Sequence, residues 1–217
     1  MKKIIFITSS GRSGSTALAN TLNTIKGVKA FQSPFGQENY SCSIYLKDIK
    51  KVNKDRDELI KSVHNDGYHY IESSVCIRHH IKSVVNNYPK CLIIHLVRDG
   101  RDFVRSGFNR TWFKKSKKRF IRICKHWSDA QCQIIESMKE LPTENKGGIV
   151  RLEDLSKNDI NWFLNNIGLD SEDRIKMIKT NVTKTQFKLP IWKDWNSQLM
   201  NDVKKYMGKE LEYFKYK

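Results

Sequence analysis

The amino-acid sequence predicts an α/β fold of three layers, in which a central parallel sheet of about five strands is flanked by helices. Short apolar runs of strand length alternate along the chain with segments whose apolar residues recur at helical spacing. The runs Ile4–Thr8 and Cys91–Val97 are almost continuously apolar, which is typical of parallel strands covered on both faces. Since 217 residues suffice for one substantial core, residues 1–217 are predicted to form a single domain.

The individual elements follow from the same patterns, taken in chain order. The predicted strands are Ile4–Thr8, Val28–Phe31, Tyr68–Glu72, Cys91–Val97 and Gly148–Arg151. The predicted helices are Ser15–Ile25, Asp55–Asn65, Ile77–Asn87, a segment from Arg101, a long basic segment that ends near Met138, Lys157–Ile167 and Gln198–Met207. Ligands of open parallel sheets bind beyond the carboxyl ends of the strands. Those ends are where Arg12, Glu72, Ser74 and Arg98 fall.

The segment after the first predicted strand has the composition of an anion-binding loop. Gly11 and Gly14 allow the backbone to turn tightly around a bound group. The helix from Ser15 then directs its first N–H groups and the positive end of its dipole at the same place. A Walker nucleotide loop would need Gly at position 9 and Lys at position 15, and this chain has Ser at both. The cation of the loop is instead Arg12.

A second candidate phosphate site follows the run Cys91–Val97, which ends in Arg98 and turns into a helix that carries Ser106. A guanidinium at a strand end can grip a phosphate through two parallel hydrogen bonds. A hydroxyl eight residues later lies about a turn and a half into the next helix and can be aimed back at the same oxygens. The alternative is that Arg98 forms a structural ion pair with Asp102.

Both segments resemble the cofactor-binding motifs of sulfotransferases that use 3′-phosphoadenosine 5′-phosphosulfate (PAPS). Gly-Arg-Ser-Gly-Ser-Thr at positions 11–16 is similar to the family's 5′-phosphosulfate loop, and the spacing of Arg98 and Ser106 closely resembles its 3′-phosphate motif. The resemblance implies a P-loop-like fold, a single sulfotransferase domain, no metal and no covalent enzyme intermediate. It also implies that Arg12 stabilises the leaving charge. The residues implied to hold the 5′-phosphosulfate are Arg12, Ser13, Gly14, Ser15, Thr16 and Ala17.

Two weaker similarities extend this resemblance over nearly the whole chain. The segment Ile149–Leu155 is similar to the family's strand that ends in a Glu-Asp-Leu step, although Leu152 stands where the family usually has an aromatic residue. The two acidic residues of this step are interpreted as structural, because they complement a helix dipole. The segment Leu189–Trp195 resembles the part of the family that closes over the nucleotide, which implies that Trp192 and Lys193 contact the cofactor.

The general base that accepts the acceptor's proton is predicted to be Glu38. Members of the resembling family vary between histidine and glutamate, and those with similar loops commonly place a glutamate in the segment after the second strand. Glu38 lies in that segment, where partial burial would adapt it to accept a proton. Glu72 is the next candidate. His79 and His80 also remain open, since histidine titrates near neutral pH without adjustment.

The charge of the chain bears on its partners. A balance of 40 Lys and Arg residues against 23 Asp and Glu residues gives a net charge of +17. Residues 110–125 contain eight basic residues and no acidic one. Part of this charge should serve the anionic cofactor, and an anionic acceptor such as an acidic glycan or peptide is a further hypothesis beside a small-molecule acceptor. The other interpretation of the basic segment is a solvated helix face.

Several function classes are disfavoured. No apolar run approaches the ~20 residues of a membrane span, and the apolar stretch at the N-terminus is too short for a secretory signal. Five scattered cysteines without zinc-site spacing predict a reduced, cytoplasmic protein. Two other functions stay open. One is a P-loop nucleotide or small-molecule kinase, weakened by the missing Walker lysine; the other is a basic polyanion-binding module, although no specific nucleic-acid motif is found.

Overall fold

The structure is a computed structural model that describes residues 2–35, 48–108, 116–157, 159–169, 171, 173–178 and 189–216. Its strands are β1 (Ile4–Thr8), β2 (Val28–Gln32), β3 (His69–Ser73), β4 (Leu92–Val97) and β5 (Lys146–Arg151). They form one sheet in the order β2-β3-β1-β4-β5, and each neighbouring pair is parallel. The described ranges therefore confirm the predicted parallel sheet of about five strands.

Helices pack against this sheet. The α-helices are α1 (Ser15–Leu22), α2 (Ile49–Asn65), α3 (Ile81–Asn87), α4 (Gly100–Phe108), α5 (Lys117–Lys139), α6 (Leu152–Lys157), α7 (Asn161–Asn166) and α8 (Ser197–Tyr213). Short 3₁₀ helices are Val75–His79, Thr143–Asn145 and Trp192–Asp194. Among the helices in the described ranges, none combines the length and the hydrophobicity needed to cross a bilayer.

The two faces of the sheet carry separate hydrophobic cores. Ile5 and Ile7 of β1 belong to a core that includes Leu18 of α1. Phe6, between them, belongs to a core that includes Ile60 of α2. Successive side chains of a strand point to opposite faces, and these three β1 residues are at most 1% exposed. β1 is therefore covered on both faces, as its continuous apolar sequence predicted.

The segment predicted as one helix from Ile77 to Asn87 consists of two elements. It starts as the 3₁₀ helix Val75–His79 and continues as α3, with His80 between them in a non-helical conformation (φ −149°, ψ 33°). The Ser74 hydroxyl accepts a hydrogen bond from the Cys76 N–H (3.3 Å) and so starts the tighter turn. The prediction of one helix was wrong because the apolar spacing alone does not distinguish a 3₁₀ start from an α-helical one.

A second predicted helix, Lys157–Ile167, starts later and is shorter in the structure. α6 begins directly after β5 and ends at Lys157, and α7 starts later, at Asn161. Between them Asp159 forms an antiparallel bridge with Lys176, a residue distant in sequence. This long-range pairing interrupts the helical conformation, and it leaves no trace in the local apolar pattern from which the single helix was predicted.

The long basic helix is present as α5. Its first turn is capped by Ser116, whose Oγ accepts from the Arg119 N–H (3.2 Å), and it runs for 23 residues. Residues 109–115, which include part of the basic segment, lie outside the described ranges. The buried positions of α5 recur at helical spacing and include Phe120, Cys124, Trp127, Ile134 and Met138. The predicted apolar face is therefore confirmed.

β5 forms one edge of the sheet and pairs irregularly with β4. Ile93 lies opposite Lys146, whereas His95 lies opposite Ile149, so that the register shifts between them. Gly148, just before the second pair, has a positive φ of 91°. A residue with a Cβ adopts this conformation only at a cost, which explains a glycine at this bend in the strand.

Candidate functional site

The loop that joins β1 to α1 (residues 9–14) has an unusual backbone. Gly11 (φ 84°), Arg12 (φ 51°) and Gly14 (φ 80°) all adopt left-handed conformations. Backbone N–H groups in such a run turn toward a common point and form a concavity that binds anions. For a residue with a Cβ, such as Arg12, this conformation costs about 1–2 kcal/mol. The surroundings of the loop must therefore hold it in place.

The N-terminus of α1 faces the same loop. Gly14 is its N-cap, and it has no side chain that could accept from the first-turn N–H groups; the first turn also contains no acidic residue. The helical pattern starts with the Leu18 N–H, which bonds to the Gly14 carbonyl (2.9 Å). The N–H groups of Ser15, Thr16 and Ala17 precede that bond. Together with the positive end of the helix dipole they suit a bound anion.

Two neighbours hold the loop closely. A Cβ at Gly14 would lie 2.5 Å from Cδ1 of Leu152, the first residue of α6. A Cβ at Gly11 would lie 3.4 Å from Cγ1 of Val75, the first residue of the 3₁₀ helix that follows β3. Leu152 thus fills the space next to the loop at the position where the resembling family usually has an aromatic residue. The loop is packed between two elements, which explains how its conformation is maintained.

Serine side chains inside the loop add hydrogen bonds. The Ser13 hydroxyl is fully buried and donates to the Gly11 carbonyl (2.9 Å). The Gly11 N–H donates to the Ser9 hydroxyl (3.2 Å), and the Ser10 hydroxyl lies 3.4 Å from that of Ser13. The hydroxyl of Ser13 is therefore used within the loop. Its predicted contact with a phosphosulfate would be made by the backbone N–H.

Two hydroxyls at the neighbouring strand ends are buried without such partners. Oγ1 of Thr8, at the end of β1, and Oγ of Ser73, at the end of β3, have no hydrogen-bond partner among the described residues. Buried hydroxyls in proteins are almost always paired. Unpaired polar atoms next to a loop with this backbone fit a polar, anionic group bound at the strand ends.

The two motifs predicted from sequence meet in the structure. Arg12 of the loop donates from Nε and Nη2 to the hydroxyl of Ser106 on α4 (3.2 and 3.1 Å). Arg98, at the end of β4, donates from Nη1 to the carbonyl oxygen of Arg12 (3.2 Å). These pairs are separated by 94 and 86 residues in sequence. The fold thus brings the predicted cation of the first motif against both predicted residues of the second.

Asp99 and Arg101, at the start of α4, lie beside the candidate site and were not identified from the sequence. The Asp99 carboxylate accepts from the Arg101 N–H (2.9 Å) and also pairs with the Arg101 guanidinium (2.7 Å). That guanidinium lies 3.7 Å from the centroid of the Trp192 ring, and Lys193 Nζ lies 5.9 Å from the same ring. The predicted Trp192 and Lys193 are therefore beside α4. An Asp directly before a helix start is a capping signal that could have identified Asp99.

Arg98 is not part of an ion pair with Asp102. Among the described residues, no guanidinium nitrogen of Arg98 lies within 4.0 Å of a carboxylate oxygen of Asp102. Burial raises the pKa of the Asp102 carboxyl, although Arg98 acts in the opposite direction. Without an ion pair to Asp102, the Arg98 guanidinium keeps its positive charge for an external anion.

At the end of β3, unlike at the end of β4, the arginine is paired with a buried carboxylate. Glu72 accepts hydrogen bonds from Arg56 Nε (2.8 Å) and Nη2 (3.1 Å) and from the Tyr70 hydroxyl (3.0 Å). The side chains of Arg56 and Glu72 have no exposed surface. The guanidinium also lies 5.3 Å from the centroid of the Phe35 ring. A carboxylate whose oxygens are taken by three donors is a poor proton acceptor, so this geometry disfavours Glu72 as a general base.

The remaining candidates for the base lie close to this pair or outside the described ranges. His80 follows the 3₁₀ helix, and burial, with a smaller effect from Arg56, lowers its pKa to about 4. His79 accepts a hydrogen bond at Nε2 from Arg78 Nε (3.1 Å), which occupies that nitrogen's lone pair. Glu38, the predicted base, lies outside the described residues, so that its role stays a prediction.

Comparison by sequence finds no matching family model and no matching curated protein. Solved structures, however, share the fold. The sulfotransferase domain of the Synechococcus PCC 7002 olefin synthase has a TM-score of 0.62 at 17% identity, over 100% of this chain and 97% of that one. Sulfotransferase STF1 from Mycobacterium tuberculosis H37Rv has 0.54 at 12%, over 80% and 69%. Mouse sulfotransferase SULT7A1, complexed with PAP, has 0.53 at 13%, over 98% and 67%. At such identities the likeness shows the fold: the chain has the fold of these sulfotransferases.

Within the described ranges, no group of three or more His, Cys, Asp or Glu residues is arranged to hold a metal ion. Two arginines lie at the loop. Arg12 and Arg98 supply positive charge at the carboxyl ends of β1 and β4, together with the N-terminus of α1. Such an arrangement can bind an extended anion that carries more than one phosphate or sulfate group.

Proposed function

We propose that the chain is a sulfotransferase that transfers a sulfuryl group from PAPS to a hydroxyl or an amine of an acceptor. The observation that carries the proposal is the junction of two anion-binding motifs, in which Arg12 contacts Ser106 and Arg98 contacts the Arg12 carbonyl. A nucleotide with a 5′-phosphosulfate and a 3′-phosphate has one anionic group for each motif. The fold shared with sulfotransferases, one of them complexed with PAP, supports the same assignment.

The residues divide between the two ends of the donor. The backbone N–H groups of residues 13–17 and the guanidinium of Arg12 would bind the 5′-phosphosulfate. Arg98 would grip the 3′-phosphate through two parallel hydrogen bonds, and the Ser106 hydroxyl would add a third. Trp192 and Lys193, which lie beside α4, would contact the nucleotide between these ends.

The reaction breaks the bond between sulfur and the oxygen of the 5′-phosphate, and it forms a bond between sulfur and the acceptor oxygen or nitrogen. The products are 3′-phosphoadenosine 5′-phosphate (PAP) and a sulfate ester or sulfamate. As in phosphoryl transfer, the protein contributes mainly positioning and stabilisation of the charge on the leaving oxygen. Arg12 and the N-terminus of α1 provide that stabilisation. Neither a metal nor a covalent enzyme intermediate is part of the proposal.

The acceptor's proton passes to a base, for which we propose Glu38. Support comes from the family resemblance of its segment and from the geometry of the competing candidate. Glu72 is buried and paired with Arg56, which leaves it poorly suited to accept a proton. His80 remains an alternative, since its lowered pKa keeps it neutral at physiological pH.

The acceptor is proposed to be a small molecule, a glycan or a peptide, with an anionic one favoured by the surface charge. The exposed Lys and Arg residues in the first half of α5 are Lys117, Lys118, Arg122 and Lys125. Lys125 of α5 and Lys205 of α8 lie near the same ring, with their Nζ atoms 5.1 and 5.4 Å from the centroid of Tyr206. Such a basic surface attracts anions over several ångströms at moderate salt.

Calorimetry with PAP and with adenosine 5′-phosphate tests the donor assignment, and an acceptor screen with PAPS then tests the activity. The wild-type protein should bind PAP more tightly than adenosine 5′-phosphate, which lacks the 3′-phosphate. Equal affinities would contradict the proposal. Magnesium-dependent hydrolysis of ATP would instead support the kinase alternative. Binding of polyanions that weakens steeply with salt and ignores PAP would support the binding-module alternative.

We also place the protein in the cytoplasm. Three of its cysteines, Cys76, Cys91 and Cys124, are buried as free thiols, and Cys132 is exposed as a free thiol. Burial raises the pKa values of Cys91 and Cys124 to about 12, so both remain protonated and inert. Free thiols of this kind are typical of a reducing compartment.

A further inference from the structure

The peptide group of Asp99 joins the two elements that hold the second motif. It follows Arg98 at the end of β4, and its carbonyl and carboxylate accept the first hydrogen bonds of α4, from the N–H groups of Phe103 and Arg101 (both 2.9 Å). α4 in turn carries Ser106. The orientation of this one peptide therefore sets both the direction in which Arg98 leaves the strand and the axis along which Ser106 is presented.

Glu153, near the start of α6, fixes that peptide from outside the motif. Its Oε1 accepts a hydrogen bond from the Asp99 N–H (3.0 Å). Its Oε2 accepts one from the Tyr216 hydroxyl (2.7 Å). Burial, followed by the nearby charge of Glu153, raises the pKa of Tyr216, so that its hydroxyl stays a donor. With one donor on each oxygen, the carboxylate is held in a single orientation toward Asp99.

The segment that carries Tyr216 is itself anchored. Arg151 Nη1 donates to the carbonyl oxygens of Phe214 and Lys215 (both 3.4 Å), and its guanidinium lies 5.2 Å from the centroid of the Tyr216 ring. Asp154 holds the other side of that guanidinium through two hydrogen bonds of 2.9 Å. The segment after α8 is thus held at several points, which places the Tyr216 hydroxyl reproducibly against Glu153.

We propose that Tyr216 is a positioning residue of the nucleotide site, acting through Glu153 and the Asp99 peptide on Arg98 and α4. It does not contact the nucleotide. It fixes the relative placement of a guanidinium and a hydroxyl that must reach the same phosphate group. This role rests on the proposed function, since it concerns the site assigned to the 3′-phosphate of PAPS.

The test uses Tyr216→Phe, which removes one hydroxyl and keeps the ring against Arg151. Calorimetry should show PAP binding weakened by about 5- to 10-fold, because the lost hydrogen bond to the Glu153 carboxylate acts on Arg98 only through Glu153 and the Asp99 peptide. The affinity for adenosine 5′-phosphate should change by less than about 2-fold, since that nucleotide has no 3′-phosphate. In steady-state assays the KM for PAPS should rise while kcat stays near the wild-type value.

Tyr213→Phe is the matched control. Tyr213 lies three residues earlier, at the end of α8, and is 52% exposed. The same chemical change there should alter neither affinity. Glu153→Gln, which keeps an oxygen acceptor for the Asp99 N–H, should weaken PAP binding less than Glu153→Ala does. Combining Glu153→Ala with Tyr216→Phe should weaken PAP binding no further than Glu153→Ala alone, because Glu153→Ala already removes the carboxylate that links Tyr216 to Asp99.

The outcomes separate the two proposals. A wild-type protein that does not prefer PAP to adenosine 5′-phosphate would overturn the proposed function and, with it, this role. A wild-type preference that Tyr216→Phe retains in full would overturn the positioning role alone. A lower thermal midpoint in Tyr216→Phe, with both nucleotides weakened equally, would also overturn it, since the hydroxyl would then only stabilise the fold.

Discussion

The carboxyl ends of β3 and β4 each lie next to a guanidinium, in opposite electrostatic settings. At β3, Arg56 and Glu72 are fully buried, and the carboxylate accepts two of its hydrogen bonds from that guanidinium. At β4, Arg98 is half-buried and donates to the neutral carbonyl oxygen of Arg12. A carbonyl satisfies one donor without cancelling the positive charge.

This difference distinguishes a structural arginine from a binding one. The charge of Arg56 is neutralised within the protein, so removing it would leave a buried carboxylate without its partner. The charge of Arg98 remains effective toward an external anion. Sequence position does not distinguish the Arg56–Glu72 pair from Arg98, since Glu72 and Arg98 both come at strand ends. What separates them is the partner that the fold supplies.

The largest effect is expected from breaking the buried pair. Arg56→Met keeps most of the side-chain volume and removes the charge, and it should lower the free energy of unfolding by about 3–5 kcal/mol because Glu72 is left buried and uncompensated. Urea unfolding measures this. Arg98→Met, the matched change at β4, should alter stability by less than about 0.5 kcal/mol. Similar losses in both variants would remove the contrast between the two ends.

The second prediction concerns binding at β4. Arg98→Ala should weaken binding of PAP by about 2–4 kcal/mol and abolish the preference over adenosine 5′-phosphate, because a charge-assisted contact with the 3′-phosphate is lost. Calorimetry with both nucleotides measures it. Lys90→Ala is a suitable control, since it removes one exposed positive charge just before the start of β4, whereas Arg98 follows its end. An effect of similar size in the control would point to net charge alone.

The third prediction separates catalysis from binding. Glu38→Gln should leave PAP binding intact and reduce turnover by ~10²-fold or more, because no base would then take the proton from the acceptor's hydroxyl or amine. Glu72→Gln should instead lower stability, as expected for a residue committed to Arg56. The comparison is made with kcat per folded molecule. Near-normal turnover in Glu38→Gln would move the base to His80.

The fourth prediction uses pH at the β3 end. The pKa of His80 is lowered to about 4 by burial and by Arg56, with a smaller effect from His79, against 6.5 ordinarily. Between these values the unfolded chain binds the proton and the folded protein does not. Proton binding to His80 in the unfolded chain should therefore lower the free energy of unfolding by ~2 kcal/mol as the pH falls from 6.5 to 4. Above pH 6.5 His80 should have no such effect.

This pH dependence is measured by urea unfolding of the wild type and of His80→Gln at pH 7 and pH 4.5. The loss of stability between the two pH values should be smaller in the variant, which has no proton to bind in the unfolded chain. Carboxylates titrate in the same range, so the difference between the two proteins is the informative quantity. Identical pH dependence would show that His80 does not titrate abnormally.

The smallest expected effect concerns the acceptor. If the exposed basic residues of α5 recruit an anionic acceptor, its KM should rise by about 2- to 5-fold between low and moderate salt, and that of a neutral alcohol should not change. Lys118→Ala and Lys125→Ala together should imitate the effect of salt. Neutral alcohols or phenols sulfated as fast as anionic acceptors, without salt dependence, would show that this surface is only solvated.

Much of the fold could be predicted because the strands are covered on both faces. Their apolar runs, such as Ile4–Thr8, are visible without any knowledge of their neighbours. The same holds for the placement of Arg12 and Arg98 at one edge of the sheet, since both follow strand ends and parallel strands place those ends together. Local chemistry and topology were sufficient there.

Other features depend on partners that are distant in sequence. Arg56 lies in a strongly charged stretch of α2, and nothing local indicates that it is buried against Glu72. Tyr216 meets Glu153 across 63 residues. The late start of the predicted helix Lys157–Ile167 has the same origin, because Asp159 pairs with Lys176, beyond the helix. Periodicity and capping rules describe neighbours along the chain and do not report such contacts.

The irregular edge of the sheet bears on how the protein behaves at high concentration. An exposed, regular edge strand offers unpaired N–H and C=O groups to another chain and promotes aggregation. β5 does not offer a continuous row. The pairing register between β4 and β5 shifts near His95, and β5 bends at Gly148; both features would interrupt pairing with an incoming strand. Lys146 and Arg151 also place charge at the two ends of β5. Straightening this strand, for example by replacing Gly148, would be expected to cost solubility as well as stability.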